Sequence, residues 1–216
     1  MASAIVLSHL DVADELGHIG GWLDRHGYRV RRIQRGALPV SLDGDLLISL
    51  GSPSSVAEGH MGSEAAAEVE LVTDWVSAGR PFIGVCFGAQ VLARALGGSV
   101  ARMPNTFRAY RAVELGPSAP SGLDGRWAVW HEDAISAPTG SEVLATLPHA
   151  DAVFRNGRAW GVQPHIEFDS SIVRRLAETM SVPAGEWESL YEDLKGDDSD
   201  HAKRSAALLD AMSVDW

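Results

Sequence analysis

The 216 residues carry 18 Lys and Arg against 29 Asp and Glu, a formal charge of −11, and are 45% apolar and 22% charged. That balance suits a chain that buries a sizeable core. It excludes a disordered polyelectrolyte and sequence-independent nucleic-acid binding, which needs a basic face to neutralise phosphates. The one cysteine, Cys86, excludes an internal disulfide, and the absence of paired Cys and His motifs argues against a structural zinc. Neither a metal nor a cofactor is expected.

The first residues, MASAIVLSHLD, have no basic n-region and too short an apolar run for a signal peptide. No window reaches the roughly 18 apolar residues of a membrane span, so a cytoplasmic location without membrane contact is expected. Ala4 to Ser8 is an apolar run read as a strand, and Glu15 to His26 places Leu16, Ile19, Trp22 and Leu23 at helical spacing. Tyr28 to Ile33 alternates as a strand does, and Leu46 to Leu50 is continuously apolar before Gly51-Ser52-Pro53, as a central parallel strand entering a loop would be. Glu64 to Ala78 predicts a helix with Val69, Val72, Trp75 and Val76 on one side, ending at Gly79. Pro81-Phe82-Ile83 is a short strand, and Val91 to Leu96 a helix closed by Gly97-Gly98.

Beyond this point the pattern changes. Val113 to Leu115, Ala128 to Trp130, Val143 to Ala145 and Ala152 to Phe154 are short strand candidates among Gly, Pro and Ser clusters, which favours antiparallel pairing. Trp160 to Gln163 reads as one more strand, and Ser171 to Met180 and His201 to Met212 as closing helices. Glu186 to Asp200, with seven acidic residues and one lysine, reads as a solvated surface segment. The expected fold is α/β: a single domain over residues 1–216 with a three-layer α/β/α architecture, a central mostly parallel sheet and a small antiparallel sheet. Its site would lie at the strand carboxyl ends.

Gly84-Val85-Cys86-Phe87-Gly88-Ala89-Gln90 puts the cysteine on the turn between strand and helix, with glycines giving the backbone room. The helix that follows would aim its unpaired N–H groups at the sulfur and stabilise a thiolate. A buried, inert cysteine is the alternative, but it needs neither the glycines nor the turn. A thiolate that attacks an amide needs a proton shuttle. His165 is the candidate, at the end of the Gly161-Val162-Gln163 strand, with Glu167 two residues on to orient the ring. A tetrahedral oxyanion would be held by the backbone N–H of Phe87 and an N–H of Gly51 or Ser52. The histidines at 9, 18, 26, 60, 149 and 201 read as solvated, and the seven tryptophans as core residues.

These stretches carry a family resemblance. The cysteine turn followed by Leu96-Gly97-Gly98, the loop Leu50-Gly51-Ser52-Pro53, and Gly161-Val162-Gln163-Pro164-His165-Ile166-Glu167 resemble, in order, three motifs of the class I glutamine amidotransferases. The likeness is strongest to stand-alone members similar to the amidotransferase domain of GMP synthase, which also have a segment like Trp130-His131-Glu132-Asp133. The resemblance implies a flavodoxin-like fold and a γ-glutamyl thioester on Cys86, formed from glutamine or a related γ-glutamyl amide. Ammonia would then pass to a separate synthase. Gln90, His131, Asp133 and Tyr110 are the expected substrate contacts.

Three departures accompany the likeness. Ser52 stands where the family has a second glycine, a side chain that could oppose a backbone flip there. Pro164 precedes the histidine instead of following it. Asn105 to Tyr110 replaces a Glu-Ile-Gly-Trp segment, with Phe107 and Ala109 at the acid and the glycine. The last of these favours a stand-alone γ-glutamyl peptidase acting on a metabolite, and Ser52 a non-catalytic binding protein on the same scaffold.

Overall fold

The computed structural model describes residues 1–9 and 15–216; Leu10 and Asp11, the end of the N-terminal stretch read above, lie outside the described residues. The first half alternates strand and helix: β1 (Ser3–Ser8), α1 (Gly17–Arg25), β2 (Arg29–Gln34), β3 (Leu46–Ser49), α2 (Ser63–Ser77), β4 (Phe82–Val85) and α3 (Phe87–Ala95). The second half supplies β5 (Ser99–Ala112), β6 (Glu114–Leu115), β7 (Arg126–Ser136), β8 (Glu142–Leu147), β9 (Ala150–Asn156) and β10 (Ala159–Val162), then α4 (Ser170–Thr179), α5 (Glu188–Lys195) and α6 (Asp198–Ser213). One sheet has the order β2-β1-β3-β4-β10-β9-β8-β6, parallel from β2 through β10 and antiparallel beyond it. β5 and β7 form a separate antiparallel ribbon. The expected mixed architecture is thus present, with the antiparallel part divided between the ribbon and the far edge of the main sheet.

The alternation of side chains along β1 shows how the layers form. Ala4 and Val6 join a core with Ile19, Trp22 and Leu23 of α1 and Leu208, Leu209 and Met212 of α6. Ile5 and Leu7 point the other way, into a core with Val72 and Trp75 of α2 and Val91 and Leu92 of α3. Burying each such Leu or Ile contributes about 1.5–3 kcal/mol, so both faces of the sheet are fixed by the same alternating run. A third cluster joins α4 and α5 to the β5–β7 ribbon through Tyr110, Trp130, Leu176 and Leu194. Among the described residues no helix is long and apolar enough to cross a membrane.

The structure corrects four expectations. β5 spans fourteen residues where no strand was expected: its centre, Met103-Pro104-Asn105-Thr106, is polar and interrupted, and the pairing with β7 slips between Arg102 and Phe107 around the proline. The buried face of α2 is Ala65, Glu68, Leu71, Val72 and Trp75, rotated from the expected stripe and containing a carboxylate. Glu186 to Asp200 is no mere solvated segment. It forms α5, which buries Leu190, Tyr191 and Leu194, and its acids act as anchors, Asp198 accepting from the Ser170 N–H (2.9 Å) and Asp197 from Arg204 (2.7 Å). His201, read as solvated, is fully buried, and its Nδ1–H donates to the Phe168 carbonyl at 3.1 Å.

Candidate active site

β4 runs directly into Cys86, whose φ of 52° and ψ of −105° are unusual for a residue with a Cβ. Such a conformation costs about 1–3 kcal/mol and is held only where the surroundings determine it. The flanking glycines explain how. A Cβ on Gly84 would strike the backbone of Gly88, and one on Gly88 would strike the carbonyl of Ser49. The first turn of α3 therefore lies against β4 and β3 with no side chain between them. The Cys86 N–H donates to the Val162 carbonyl at 2.8 Å, and its own carbonyl accepts from Ala89 (3.0 Å) and Gln90 (3.1 Å). The positive end of α3 faces the sulfur and favours negative charge there. Cys86 is 6% exposed and opens on a cavity of about 100 Å³.

The register of the parallel sheet delivers the histidine. Val85 of β4 pairs with Val162 of β10, so both strands end together, and three residues later the His165 N–H bonds to the Ala128 carbonyl at 2.8 Å. The Cys86 thiol and His165 Nε2 approach the same acceptor, the Trp130 carbonyl, at 3.5 and 3.3 Å. His165 Nδ1–H donates to Glu167 Oε1 at 2.7 Å, and the ring stacks on Phe168 with centroids 3.9 Å apart. Glu167 is itself held by the chain: its carbonyl accepts the His18 N–H at 3.0 Å at the start of α1, where Gly17 leaves room for the approach. Burial pushes His165 toward the neutral form, but the charge of Glu167 and the neighbouring Cys86 sulfur outweigh it and raise the pKa well above the ordinary 6.5. The ring at His165 therefore holds its proton more tightly than a free imidazole.

The other predicted residues divide into two groups. Gly51, Ser52, Gln90, His131 and Asp133 line the same cavity as Cys86 and His165. Gln90 Nε2 donates to the Asp133 carbonyl at 3.3 Å, and the Asp133 side chain accepts from the Ser55 hydroxyl at 2.5 Å. His131 Nδ1 meets the Asp133 carbonyl at 2.8 Å and Nε2 faces His149 Nε2 at 3.3 Å. Burial, set against that carbonyl contact, brings the His131 pKa down to about 4, so the ring is neutral with Nδ1–H donating and Nε2 accepting from His149. His149 is thus not an isolated solvated histidine. Phe87 opens α3, where the first N–H groups have no partner inside the helix.

Tyr110 falls outside this set. Its hydroxyl donates to Asp197 at 2.6 Å and accepts from Arg204 at 2.5 Å, because β5 turns this residue toward α5 and α6 and away from the cavity. Residues that the sequence did not mark as substrate contacts also line the cavity, among them Arg102, Glu132, Leu176 and Met180. Arg102 pairs with Glu132 and reaches Asp133 at 3.5 Å. The slip in β5 hid Arg102, and Leu176 of α4 and Met180 just after it read only as part of a closing helix.

A cysteine on a strand-to-helix turn, beside a buried His–Glu pair at the carboxyl ends of the parallel strands, places the candidate site of this α/β fold. Residues 25–175 match the family "Glutamine amidotransferase class-I", and the chain belongs to that family. The glutamine-hydrolysing GMP synthase of Aeropyrum pernix is 37% identical over 131 residues, which are 54% of this chain and 23% of the synthase. The chain spans about a quarter of the length of the curated relatives it matches. Among solved structures, a glutamine amidotransferase from Thermotoga maritima superposes with a TM-score of 0.85 over 98% of this chain and 97% of that one, at 22% identity. A second, from Methylobacillus flagellatus, gives 0.81 over 98% and 93% at 21% identity. At those identities the likeness establishes the fold.

Proposed function

We propose that the chain hydrolyses a γ-glutamyl amide through a thioester on Cys86. The Cys86 thiolate adds to the γ-carbonyl carbon, the carbon–nitrogen bond breaks, and His165 gives its proton to the departing ammonia or amine. Water then adds to the thioester, losing a proton to His165, and glutamate leaves as the thiol re-forms. Glu167 keeps Nδ1–H in place so that Nε2 serves the reaction. N–H groups of Phe87 and of Gly51 or Ser52 hold the oxyanion. The observation that carries this reading is the convergence of the Cys86 sulfur and His165 Nε2 on the Trp130 carbonyl, with Glu167 behind the ring at 2.7 Å. Thiol, imidazole and carboxylate suffice for the reaction.

Released ammonia would pass to a synthase outside these residues; the glutamine-hydrolysing GMP synthases among the relatives support such a pairing. One observation favours a different leaving group. The cavity at Cys86 shares Arg102 and Glu132 with a groove of about 590 Å³ that also includes Asn105, Thr106 and Arg108, space that ammonia does not need. A γ-glutamyl peptide or anilide would occupy it. Intact-protein mass spectrometry after exposure to glutamine and to γ-glutamyl anilides tests both readings: a glutamyl adduct is expected on wild type and absent from Cys86→Ala, whose turnover falls at least about a thousandfold. Full activity in Cys86→Ala rules out the thioester, and a strong preference for anilides selects the second reading.

A further inference from the structure

Resting on the thioester reading, we infer that Arg35 is a positioning residue that presets the oxyanion-binding amides through a buried ion pair with Glu68. Arg35 follows β2, two strands from β3, yet it is only 8% exposed and its guanidinium lies beneath the loop after β3. Nε donates to Glu68 Oε2 at 2.6 Å, and Nη2 to Glu68 Oε1 at 3.3 Å and Ser49 Oγ at 3.1 Å. The remaining bonds go to two consecutive carbonyls, Nη2 to Leu50 at 2.7 Å and Nη1 to Gly51 at 2.9 Å. Glu68 is fully buried and also accepts from the Ser49 hydroxyl at 2.5 Å.

A pair of this kind is expensive to desolvate and is a weak way to gain stability. Its effect on the loop is specific. A trans peptide is planar, so its N–H points opposite to its C=O. With the Leu50 and Gly51 carbonyls turned onto the guanidinium, the N–H groups of Gly51 and Ser52 are turned away from it, on the side where both residues line the cavity. The planar fork of arginine spans both carbonyls; a lysine ammonium would not. The same cluster reaches the other half of the oxyanion site. Arg35 lies 4.7 Å over the ring of Phe87, and Gly88 sits directly on Ser49.

This answers the difficulty raised by Ser52. Neither Gly51 nor Ser52 has a positive φ, so the serine Cβ meets no forbidden backbone. Donors fixed before substrate arrives need no reorganisation as charge develops, which is the condition under which they stabilise a transition state most. A second glycine, valuable where the loop must flip, is unnecessary where Arg35 holds it.

Three readouts on Arg35→Lys test the assignment. The first is single-turnover release of nitroaniline from γ-glutamyl p-nitroanilide. The second is affinity for a γ-glutamyl aldehyde, which forms an oxyanion on Cys86, and the third is alkylation of Cys86 by iodoacetamide, which forms none. Acylation is expected to fall about 10²–10³-fold, the effect of losing one oxyanion donor, and aldehyde affinity to fall in parallel. KM and the alkylation rate should stay within about threefold of wild type. If Arg35→Lys melts below the assay temperature, Glu68→Gln, which keeps the arginine and removes its anchoring charge, takes its place in the same comparison. Acylation at the wild-type rate, or acylation and alkylation falling together, overturns the assignment. Failure of the thioester reading looks different: wild type itself is then alkylated but never acylated.

Discussion

Glu167→Gln isolates the charge behind the histidine. Both side chains are almost fully buried and 2.7 Å apart, and the second Glu167 oxygen is buried with no hydrogen-bond partner, so the carboxylate acts mainly on His165. For charge centres on the order of 4 Å apart, an effective dielectric near 20 gives an interaction of about 4 kcal/mol. If all of it is used where His165 carries a full positive charge, the rate falls about a thousandfold. The glutamine keeps the shape of the site, so the loss should appear in kcat with little change in KM. The pH profile gives an independent sign. Burial alone lowers the His165 pKa, and Glu167 is the first of the influences that raise it. Without the carboxylate the imidazolium loses its proton at lower pH, and the basic limb of kcat/KM moves toward acid. Steady-state hydrolysis of γ-glutamyl p-nitroanilide across the pH range reads both quantities. A loss under about tenfold with an unmoved basic limb refutes the idea that Glu167 acts by charge.

Three further outcomes are expected. Gly88→Ala forces a Cβ against the Ser49 carbonyl and should cost about 1–3 kcal/mol and, for a chain of this size, lower Tm by several degrees, whereas Gly185→Ala, with open space around it, should melt as wild type. Tyr110→Phe removes a hydroxyl engaged with Asp197 and Arg204 and should destabilise by about 1–3 kcal/mol in urea unfolding while leaving KM unchanged; a tenfold rise in KM would put Tyr110 back at the substrate. His131 and His201 have folded pKa values lowered to about 4 and about 3, chiefly by burial, against about 6.5 unfolded. The unfolded chain binds the extra protons, so their contribution is fully present above about pH 6.5 and is lost as pH falls through the folded values, at about 1.4 kcal/mol per pH unit for each histidine. Urea unfolding between pH 6.5 and 4.5 should show stability falling with pH, and His201→Gln should remove about 1.4 kcal/mol per pH unit of that slope.

What the sequence disclosed and what it withheld differ in physical kind. β3, β4 and β10 were legible because a strand buried on both faces must be continuously apolar, and α1, α3, α4 and α6 because their apolar positions recur at helical spacing. β5 was not, since it is held by pairing with β7 on either side of a polar centre that itself stays out of register, a tertiary effect with no local pattern. The misplacement of Tyr110 follows from that omission: without the register of β5, nothing decides which way its side chains point. α5 was hidden by its charge, the acids masking a Leu190, Tyr191 and Leu194 stripe at helical spacing.

The site divides in the same way. Cys86, His165 and Glu167 announce themselves because the glycine turn and the strand ends restrict where they can go, and β4–β10 pairing turns a separation of 79 positions in the chain into adjacency. Arg35 could not be recognised as one arginine among several in a basic run. Glu68, though, left a readable sign: it lies three residues from Ala65 and seven from Trp75 on the face of α2 that packs into the core. An acid on an apolar stripe must be paired, and its partner is Arg35, whose remaining donors reach the loop beside Cys86. A buried charge that does little for stability is then best understood through the two carbonyls it orients, which makes the geometry of Leu50 and Gly51, more than the identity of Ser52, the property on which the proposed oxyanion site would depend.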